Sequence, residues 1–188
     1  MALIVRPAVS ADAERLAHIH VTSWRETYAG LMPEAFLDAM TGEARQARRE
    51  QEWIYTVSER RDVVQVAQLD GAVVAFASAG AVRPHTVIPG DYDAELYTLY
   101  ALRAAQRYGL GRALLNGVAA ELKCRGFSGL ALWVLAVNPA REFYAHLGAR
   151  ELGRKTEAIP GGELTEAAMG WRDLEVLLER PTDTFPDA

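Results

Sequence analysis

One strand-helix-strand segment constrains the fold more than any other part of the chain. Residues 92–102 predict a strand, and the turn Gly109-Leu110-Gly111 leads into a helix that ends at Gly126. The continuous apolar run 130–137 then predicts a strand buried on both faces. Strand, helix and strand in this order require parallel pairing. The apolar face of the helix is made of Leu114, Leu115, Val118 and Leu122.

The remaining sequence predicts antiparallel strands and further helices. Asp70-Gly71 is a hairpin turn between strands at 63–69 and 72–79. Other strands are predicted at 2–6, 150–158 and 164–172. A long helix is predicted from Ser10, as its N-cap, to Tyr28. Further helices are predicted from Pro33 to Met40, from Glu43 to Glu59 and from Pro139 to Leu147. Both kinds of pairing together predict a mixed sheet in one α/β domain, residues 1–180, with a loose tail at 181–188.

Composition excludes several classes of function. The chain has 188 residues and a formal charge of −5, which argues against a general nucleic-acid partner. No apolar run reaches the ~18 residues of a membrane span. Cys124 is the only cysteine, so an internal disulfide and a thiolate zinc cage are excluded, and the four histidines lack metal-ligand spacing. We therefore expect a cytoplasmic protein without a metal or a membrane partner.

The turn before the predicted helix has the chemistry of a phosphate site. The first turn of a helix has backbone N–H groups without partners and partial positive charge, and glycines let the backbone approach a ligand. Arg107 and Arg112 would add full charges at the rim. The dinucleotide fingerprint needs a third glycine where Leu114 stands, and the Walker motif is absent. The turn therefore indicates a phosphate-containing ligand, while the dinucleotide-binding fold and the Walker-motif fold are both disfavoured.

The pattern Gln-x-x-Gly-x-Gly at 106–111 resembles the pyrophosphate-binding motif of the GCN5-related N-acetyltransferases (GNAT), which bind acetyl-CoA. The segment Trp133–Ala149, with Asn138 and the pair Phe143-Tyr144, is similar to the second cofactor motif of that family. One departure is that the usual gap between the asparagine and the tyrosine in the family is one residue longer than the gap here. The likeness covers residues 3–172 and is strongest at 95–148.

The resemblance implies a mixed, mostly antiparallel sheet flanked by helices, with a splayed parallel strand pair at the acetyl-CoA site. It also implies that acetyl-CoA is the acyl donor, with its pantetheine arm along the strand that ends at Leu99-Tyr100-Ala101. The implied cofactor-binding residues are Leu99, Tyr100, Ala101, Gln106, Arg107, Tyr108, Gly109, Leu110, Gly111, Arg112 and Asn138. Asn138 is equally suited to cap the helix that follows it.

Two catalytic roles follow from the same resemblance. Tyr144 matches the tyrosine acid of the family, which protonates the departing CoA thiolate. Glu95 stands six residues before Ala101, where histone acetyltransferases of the family place their glutamate, and is expected to be the general base, directly or through water. Direct attack of the amine is implied, so Cys124 is not needed as a nucleophile.

For several other polar and aromatic residues, a purely structural role explains the sequence pattern as well as a role in the site does. Trp24, Glu26 and Tyr28 end the first long helix, where family members form an acceptor wall, and an aromatic core cluster explains them nearly as well. His20 lies on the apolar stripe of that helix and is read as a core histidine. The arginines at 45, 48 and 49, interleaved with glutamates, predict a solvated helix face.

The sequence therefore predicts an N-acetyltransferase that acts on a primary amine of a small molecule or of a peptide or protein. Alternatives are a catalytically silent acyl-CoA-binding or sensing module, an enzyme that uses another acyl donor and, more distantly, a nucleotide-binding protein. The loops at 25–40 and 83–93 are expected to select the acceptor. A homodimer is compatible with the family, and the segment 174–178, predicted as part of a C-terminal strand, offers apolar surface for it.

Overall fold

The computed structural model describes residues 2–84, 88 and 92–178. The strands are β1 (Leu3–Pro7), β2 (Val63–Leu69), β3 (Ala72–Ala81), β4 (Ala94–Ala101), β5 (Leu130–Leu135), β6 (Arg150–Ile159) and β7 (Gly162–Trp171). The helices are α1 (Ala13–Tyr28), α2 (Glu34–Thr41), α3 (Glu43–Glu59), α4 (Leu110–Cys124), α5 (Ala140–His146) and α6 (Glu175–Leu178), with 3₁₀ turns at Ser10–Asp12 and Arg103–Ala105.

The sheet has seven strands in the order β1-β2-β3-β4-β5-β7-β6. All neighbours are antiparallel except β4 and β5. Within the described chain, this parallel pair is registered at only two positions, Ala94 with Leu130 and Glu95 with Ala131. The mixed sheet and its splayed parallel pair are thus confirmed.

A β-bulge in β4 lies where the two strands part. The register with β3 runs from Ser78 opposite Thr98 to Ala79 opposite Leu96, so Tyr97 has no partner of its own. A bulge bends the strand that carries it and strengthens its twist. The Tyr97 hydroxyl donates a hydrogen bond of 2.6 Å to the Ala81 carbonyl, which holds the bulge against β3. The bend turns the last residues of β4 away from β5.

Helices cover both faces of the sheet because its central strands are apolar on both sides. The predicted apolar face of α4 is fully buried against one face, in a core that includes Tyr144 and Trp171. On the other face, α1 and α3 pack Leu16, Ile19 and Trp53 against β2 and β3. The small side chains of β3, Ala75, Ala77 and Ala79, all lie in the core beneath α4, while the larger Val73 and Phe76 lie in the core beneath α1 and α3.

The start of α1 differs from the prediction. Ser10 is not the N-cap, because Ser10–Asp12 form a 3₁₀ turn and the helix begins at Ala13. The turn is held by the carboxylate of Asp12, which accepts a hydrogen bond of 2.8 Å from the Val9 amide and pairs with Arg6 at 2.7 Å. Pairing of Asp12 with Arg6 of β1, six residues earlier, therefore outweighs the capping preference of serine.

The C-terminal segment is also different from the prediction. Residues 175–178 form the short helix α6, not a strand, and Leu174 and Leu177 are buried in the core beside α4. These leucines are therefore not part of an apolar surface for a second copy. The predicted tail at 181–188 and most of the loop at 83–91 lie outside the described residues. In the part of the chain that is described, no helix combines the length and apolarity needed to cross a membrane.

The ion pair of Arg6 and Asp12 makes stability depend on pH. The hydrogen bond from Arg6 is the main cause that lowers the pKa of Asp12. Because the folded pKa is below the unfolded value of about 3.9, the contribution is present above about pH 4 and is lost as the pH falls through the folded pKa. We expect Asp12→Asn to lower the free energy of unfolding at pH 7 by about 1–3 kcal/mol, with a smaller difference near pH 2.

Urea denaturation at both pH values measures this difference. The matched control is Asp38→Asn on the exposed surface of α2, which is expected to leave stability unchanged at either pH. An equal loss for Asp12→Asn at both pH values would contradict the role of the charge.

Candidate active site

The start of α4 forms a cradle for an anion. Gly109 precedes the helix with φ 75°, and Arg107 has φ 73°, a left-handed conformation that costs a non-glycine residue about 1–2 kcal/mol. Helical hydrogen bonding begins only with the Ala113 amide, which donates to the Gly109 carbonyl at 3.0 Å. The amides of Leu110 and Gly111 thus have no acceptor within the helix, and a glycine N-cap has no side chain to supply one. With Arg107 exposed nearby, this turn attracts negative charge.

Gly111 has a packing role that the sequence motif does not reveal. A Cβ at this position would lie 2.9 Å from Cζ of Phe143 on α5. The ring of Phe143 in turn contacts the ring of Tyr144, with centroids 5.3 Å apart. The second glycine of the motif therefore lets α5 approach the start of α4, so that the anion cradle and Tyr144 are packed together.

The last residues of β4 lie beside the opening between β4 and β5. Leu99, Tyr100 and Ala101 pair with β3 on one side and lie beyond the two paired positions on the other. Gln106 donates a hydrogen bond of 3.2 Å from Nε2 to the Ala101 carbonyl, so its side chain shapes the loop before α4. The opening therefore has a strand edge as one wall and the anion cradle at its end.

Glu26 holds α1 to that same loop. Its carboxylate accepts a hydrogen bond of 2.8 Å from the Arg103 amide, and the Arg103 side chain donates to the backbone carbonyl of Glu26. This observation supports an anchoring role for Glu26, while Trp24 and Tyr28 face the opening.

Three tyrosines from distant parts of the sequence meet at the opening. Trp24 donates a hydrogen bond of 2.8 Å from Nε1 to the Tyr100 hydroxyl, and the Tyr28 side chain lies close enough to oppose part of the rise in the pKa of Tyr100. Tyr144 lies close enough to both for their charges to interact. Burial raises the pKa of each of the three, which keeps all of them protonated at neutral pH.

Tyr144 has the environment of a proton donor. Its side chain is 6% exposed, and its ring packs edge-on against Trp171 at 6.1 Å. Burial is the main cause that raises its pKa, and the proximity of Tyr100 adds to it. Among the described residues, no hydrogen-bond partner is found for its hydroxyl. The ring is therefore part of the core, while the hydroxyl remains available.

Asn138 caps the helix that follows it. Its Oδ1 accepts a hydrogen bond of 2.9 Å from the Ala140 amide at the start of α5. Its side chain also lies near Tyr28 and opposes part of the rise in the pKa of Tyr28. The hydrogen bond with the Ala140 amide fits the capping alternative.

Glu95 is fully buried, and its carboxylate is paired with Arg83. One carboxylate oxygen accepts hydrogen bonds of 3.1 Å from both the backbone amide and Nε of Arg83, and the other pairs with Nη2. Arg83 also stacks on Tyr97 at 4.9 Å. Sequence reasoning missed this arginine, since it lies in an irregular segment twelve residues before its partner and no motif marks it.

A cavity of about 390 Å³ lies beside this ion pair, on the face covered by α1 and α3. Its walls include His20, Arg49, Ser78, Arg83 and Thr98. The prediction of a solvated arginine face on α3 is wrong for Arg49, which is only 9% exposed. Its spacing of four residues from Trp53 and eight from Val57, both buried, is the signal that could have identified it. His20 is buried, as expected of a core histidine.

The described residues contain no group of three or more His, Cys, Asp or Glu side chains arranged to hold a metal ion.

Comparisons with known proteins agree with this geometry. Residues 14–149 match the model of the acetyltransferase (GNAT) family. The uncharacterized N-acetyltransferase YuaI of Bacillus subtilis (strain 168) is 36% identical over 174 residues, which cover 92% of this chain and 95% of that protein.

Solved structures share the fold at lower identity. PaiA N-acetyltransferase of Thermoplasma acidophilum, in complex with coenzyme A, is 21% identical with a TM-score of 0.67, covering 92% of this chain and 99% of that one. YncA of Salmonella typhimurium, with acetyl-CoA, is 23% identical with a TM-score of 0.69, covering 100% and 99%. The ribosomal-protein-alanine N-acetyltransferase of Brucella melitensis is 24% identical with a TM-score of 0.70, covering 90% and 99%.

The contact between Gly111 and Phe143 predicts coupled effects on stability. Gly111→Ala should lower the free energy of unfolding by about 1–3 kcal/mol, because the new methyl group overlaps the ring. In the double variant Gly111→Ala/Phe143→Leu, the smaller side chain leaves room, so the combined loss should be less than the sum of the single losses.

Urea denaturation measures all of these variants. Gly117→Ala in the same helix is the matched control, since its methyl group would meet no ring, only side-chain carbons of Val5 at 3.1 Å and of Gln65 at 3.7 Å. Additive losses in the double variant would argue against the packing role.

Proposed function

Because the chain belongs to the GNAT family of N-acetyltransferases, we propose that it transfers the acetyl group of acetyl-CoA directly to a primary amine of a small molecule or peptide. The observation that carries the proposal is the opening between β4 and β5 in front of the α4 amides. A strand edge suits an extended pantetheine arm, and the helix start suits a diphosphate.

The donor would be bound by residues of β4, the loop after it and the start of α4. The amides of Leu110 and Gly111, with Arg107 and Arg112, would hold the diphosphate. The edge at Leu99–Ala101 would hydrogen-bond the pantetheine amides, and a backbone N–H of this strand would stabilise the oxyanion. Gln106, Tyr108 and Gly109 shape the loop, and Asn138 supports the wall formed by Tyr28. The acceptor would pass Trp24 and Tyr28, with Glu26 holding that wall in place.

Tyr144 is proposed as the general acid. In the reaction, a bond forms between the amine nitrogen and the acetyl carbon, the carbon–sulfur bond breaks, and the thiolate needs a proton. The Tyr144 hydroxyl supplies it, since its raised pKa keeps the hydroxyl protonated until the thiolate leaves. The tyrosinate formed is then reprotonated from solvent through the opening.

Glu95 is proposed to accept the amine proton through water. Its carboxylate has no exposed surface and is held by Arg83, so an amine would not contact it directly. A water beside Thr98 or Arg83 in the adjoining cavity would relay the proton. Arg83 keeps the carboxylate in place for this relay. The cytoplasmic location stays a prediction.

The acid role of Tyr144 is tested by Tyr144→Phe. We expect kcat to fall about 100-fold or more with an unchanged affinity for acetyl-CoA, because the ring packing remains and only the donor is lost. CoA release over a panel of amines gives kcat, and calorimetry gives the affinity. Tyr55→Phe on the exposed surface of α3 is the control. A wild-type protein that binds acetyl-CoA but acetylates no amine would indicate the silent module instead.

The base role of Glu95 predicts a pH signature. Glu95→Gln should lower kcat/KM about 100-fold near pH 7, and the loss should shrink at higher pH, where more of the amine is already deprotonated. The pH profile of kcat/KM for wild type and variant measures this. A loss that is constant from pH 7 to pH 10 would mean that Glu95 only positions Arg83.

A further inference from the structure

The cavity beside Glu95 contains a buried cation without an anionic partner. Arg49 is 9% exposed, and in the described part of the chain no carboxylate lies within 4 Å of its guanidinium. Its Nε makes no hydrogen bond. The guanidinium lies 5.9 Å from the ring centroid of Trp24, so its main contact is an aromatic face. A buried charge in this state is poorly compensated.

Two acidic side chains, Glu52 and Asp62, also line the cavity. Glu52, three residues further along α3, is already engaged, because it pairs with Arg48 at 3.0 Å and with Arg45 at 3.8 Å. Arg45 also opposes the charge of Arg49, since the two guanidinium groups repel each other. Burial raises the pKa of Asp62. The protein therefore supplies two arginines to this region and leaves one of them unbalanced.

His20 adds a second unpartnered group to the same cavity. It is 5% exposed, and its Nδ1 has no hydrogen-bond partner. Burial, together with the charges of Arg49 and Arg45, lowers its pKa to about 3, so the imidazole is neutral. A neutral imidazole offers one hydrogen bond at this nitrogen without adding charge. Two buried polar side chains thus face one cavity with unused hydrogen-bonding capacity.

The cavity is also close to the proposed site of transfer. Trp24, on which Arg49 stacks, donates a hydrogen bond to Tyr100 on the open edge of β4. At the other side of the cavity, Arg83 holds Glu95. A small molecule could therefore have its amine near β4 and Glu95 and another group at Arg49. The volume of about 390 Å³ fits a small ligand.

We propose that the acceptor is a small amino acid whose carboxylate is bound by Arg49 and hydrogen-bonded to His20. The inference rests on the proposed acetyl transfer and narrows its acceptor from primary amines in general to amines that carry a carboxylate. A guanidinium matches the two oxygens of a carboxylate, and the ring of Trp24 fixes its orientation. Amines without an anionic group leave Arg49 uncompensated and are poorer acceptors.

Matched sets of amines test this proposal. Each set contains an amino acid, its carboxamide and its decarboxylated amine, with a small, a branched and an aromatic side chain. Release of CoA gives kcat/KM, and calorimetry with the protein saturated in CoA gives binding without turnover. We expect the amino acid to exceed its carboxamide by about 10- to 100-fold in kcat/KM and in affinity. Dipeptides tested in the same assays show whether a carboxylate one residue further from the amine is also accepted.

Arg49→Met identifies the residue responsible. It should reduce kcat/KM for the amino acids to the level of the carboxamides and leave the carboxamides and the affinity for acetyl-CoA unchanged. Arg48→Gln removes the same charge from the neighbouring exposed position of α3 and should preserve the preference. Arg49→Lys, which keeps the charge but not the fork of donors, should preserve part of it.

Specific results would overturn the proposal. Equal use of amino acids and carboxamides by the wild-type protein would do so without any variant, as would an equal loss for both in a folded Arg49→Met protein. Binding of acetyl-CoA with no binding of any amino acid would reject the inference while leaving the donor half of the proposed function intact. Failure to bind acetyl-CoA would reject the proposed function, and calorimetry with amino acids alone would still report on Arg49.

Discussion

The separation of β4 from β5 is the constraint on which the site depends. A parallel pair registered at two positions gives way, at the Tyr97 bulge, to an opening within the sheet. Backbone groups in the middle of a sheet normally bind a neighbouring strand, so an unpaired inner edge presents N–H and C=O groups to a ligand. The α4 amides and Tyr144 are arranged around this opening, and the cavity beside Arg83 lies against β3 and β4.

The packing of α5 on α4 brings the anion cradle at the start of α4 close to Tyr144 on α5. Gly111 allows the ring of Phe143 to lie against the start of α4, and the ring of the neighbouring Tyr144 packs against that of Phe143. A glycine in a ligand-binding motif is usually explained by the ligand. Here the neighbouring helix explains it at least as directly, because any Cβ would overlap an aromatic ring.

Local patterns predicted most elements but not the long-range ion pairs. The bounds of α3, the buried face of α4 and the turn before it follow from periodicity and glycine placement. Ser10 failed as a cap because the Asp12 carboxylate is fixed by Arg6 on β1, a contact that no local rule contains. Arg49 and Arg83 were missed for a similar reason, since charge runs and loops look solvated until tertiary packing buries them.

Tyr28 connects the two sides of the opening. Its pKa responds to Tyr100, on β4, and to Asn138, which follows β5, so one α1 side chain lies close to residues of both separated strands. A substitution that displaced α1 would therefore act on both walls of the gap together, although α1 belongs to neither strand.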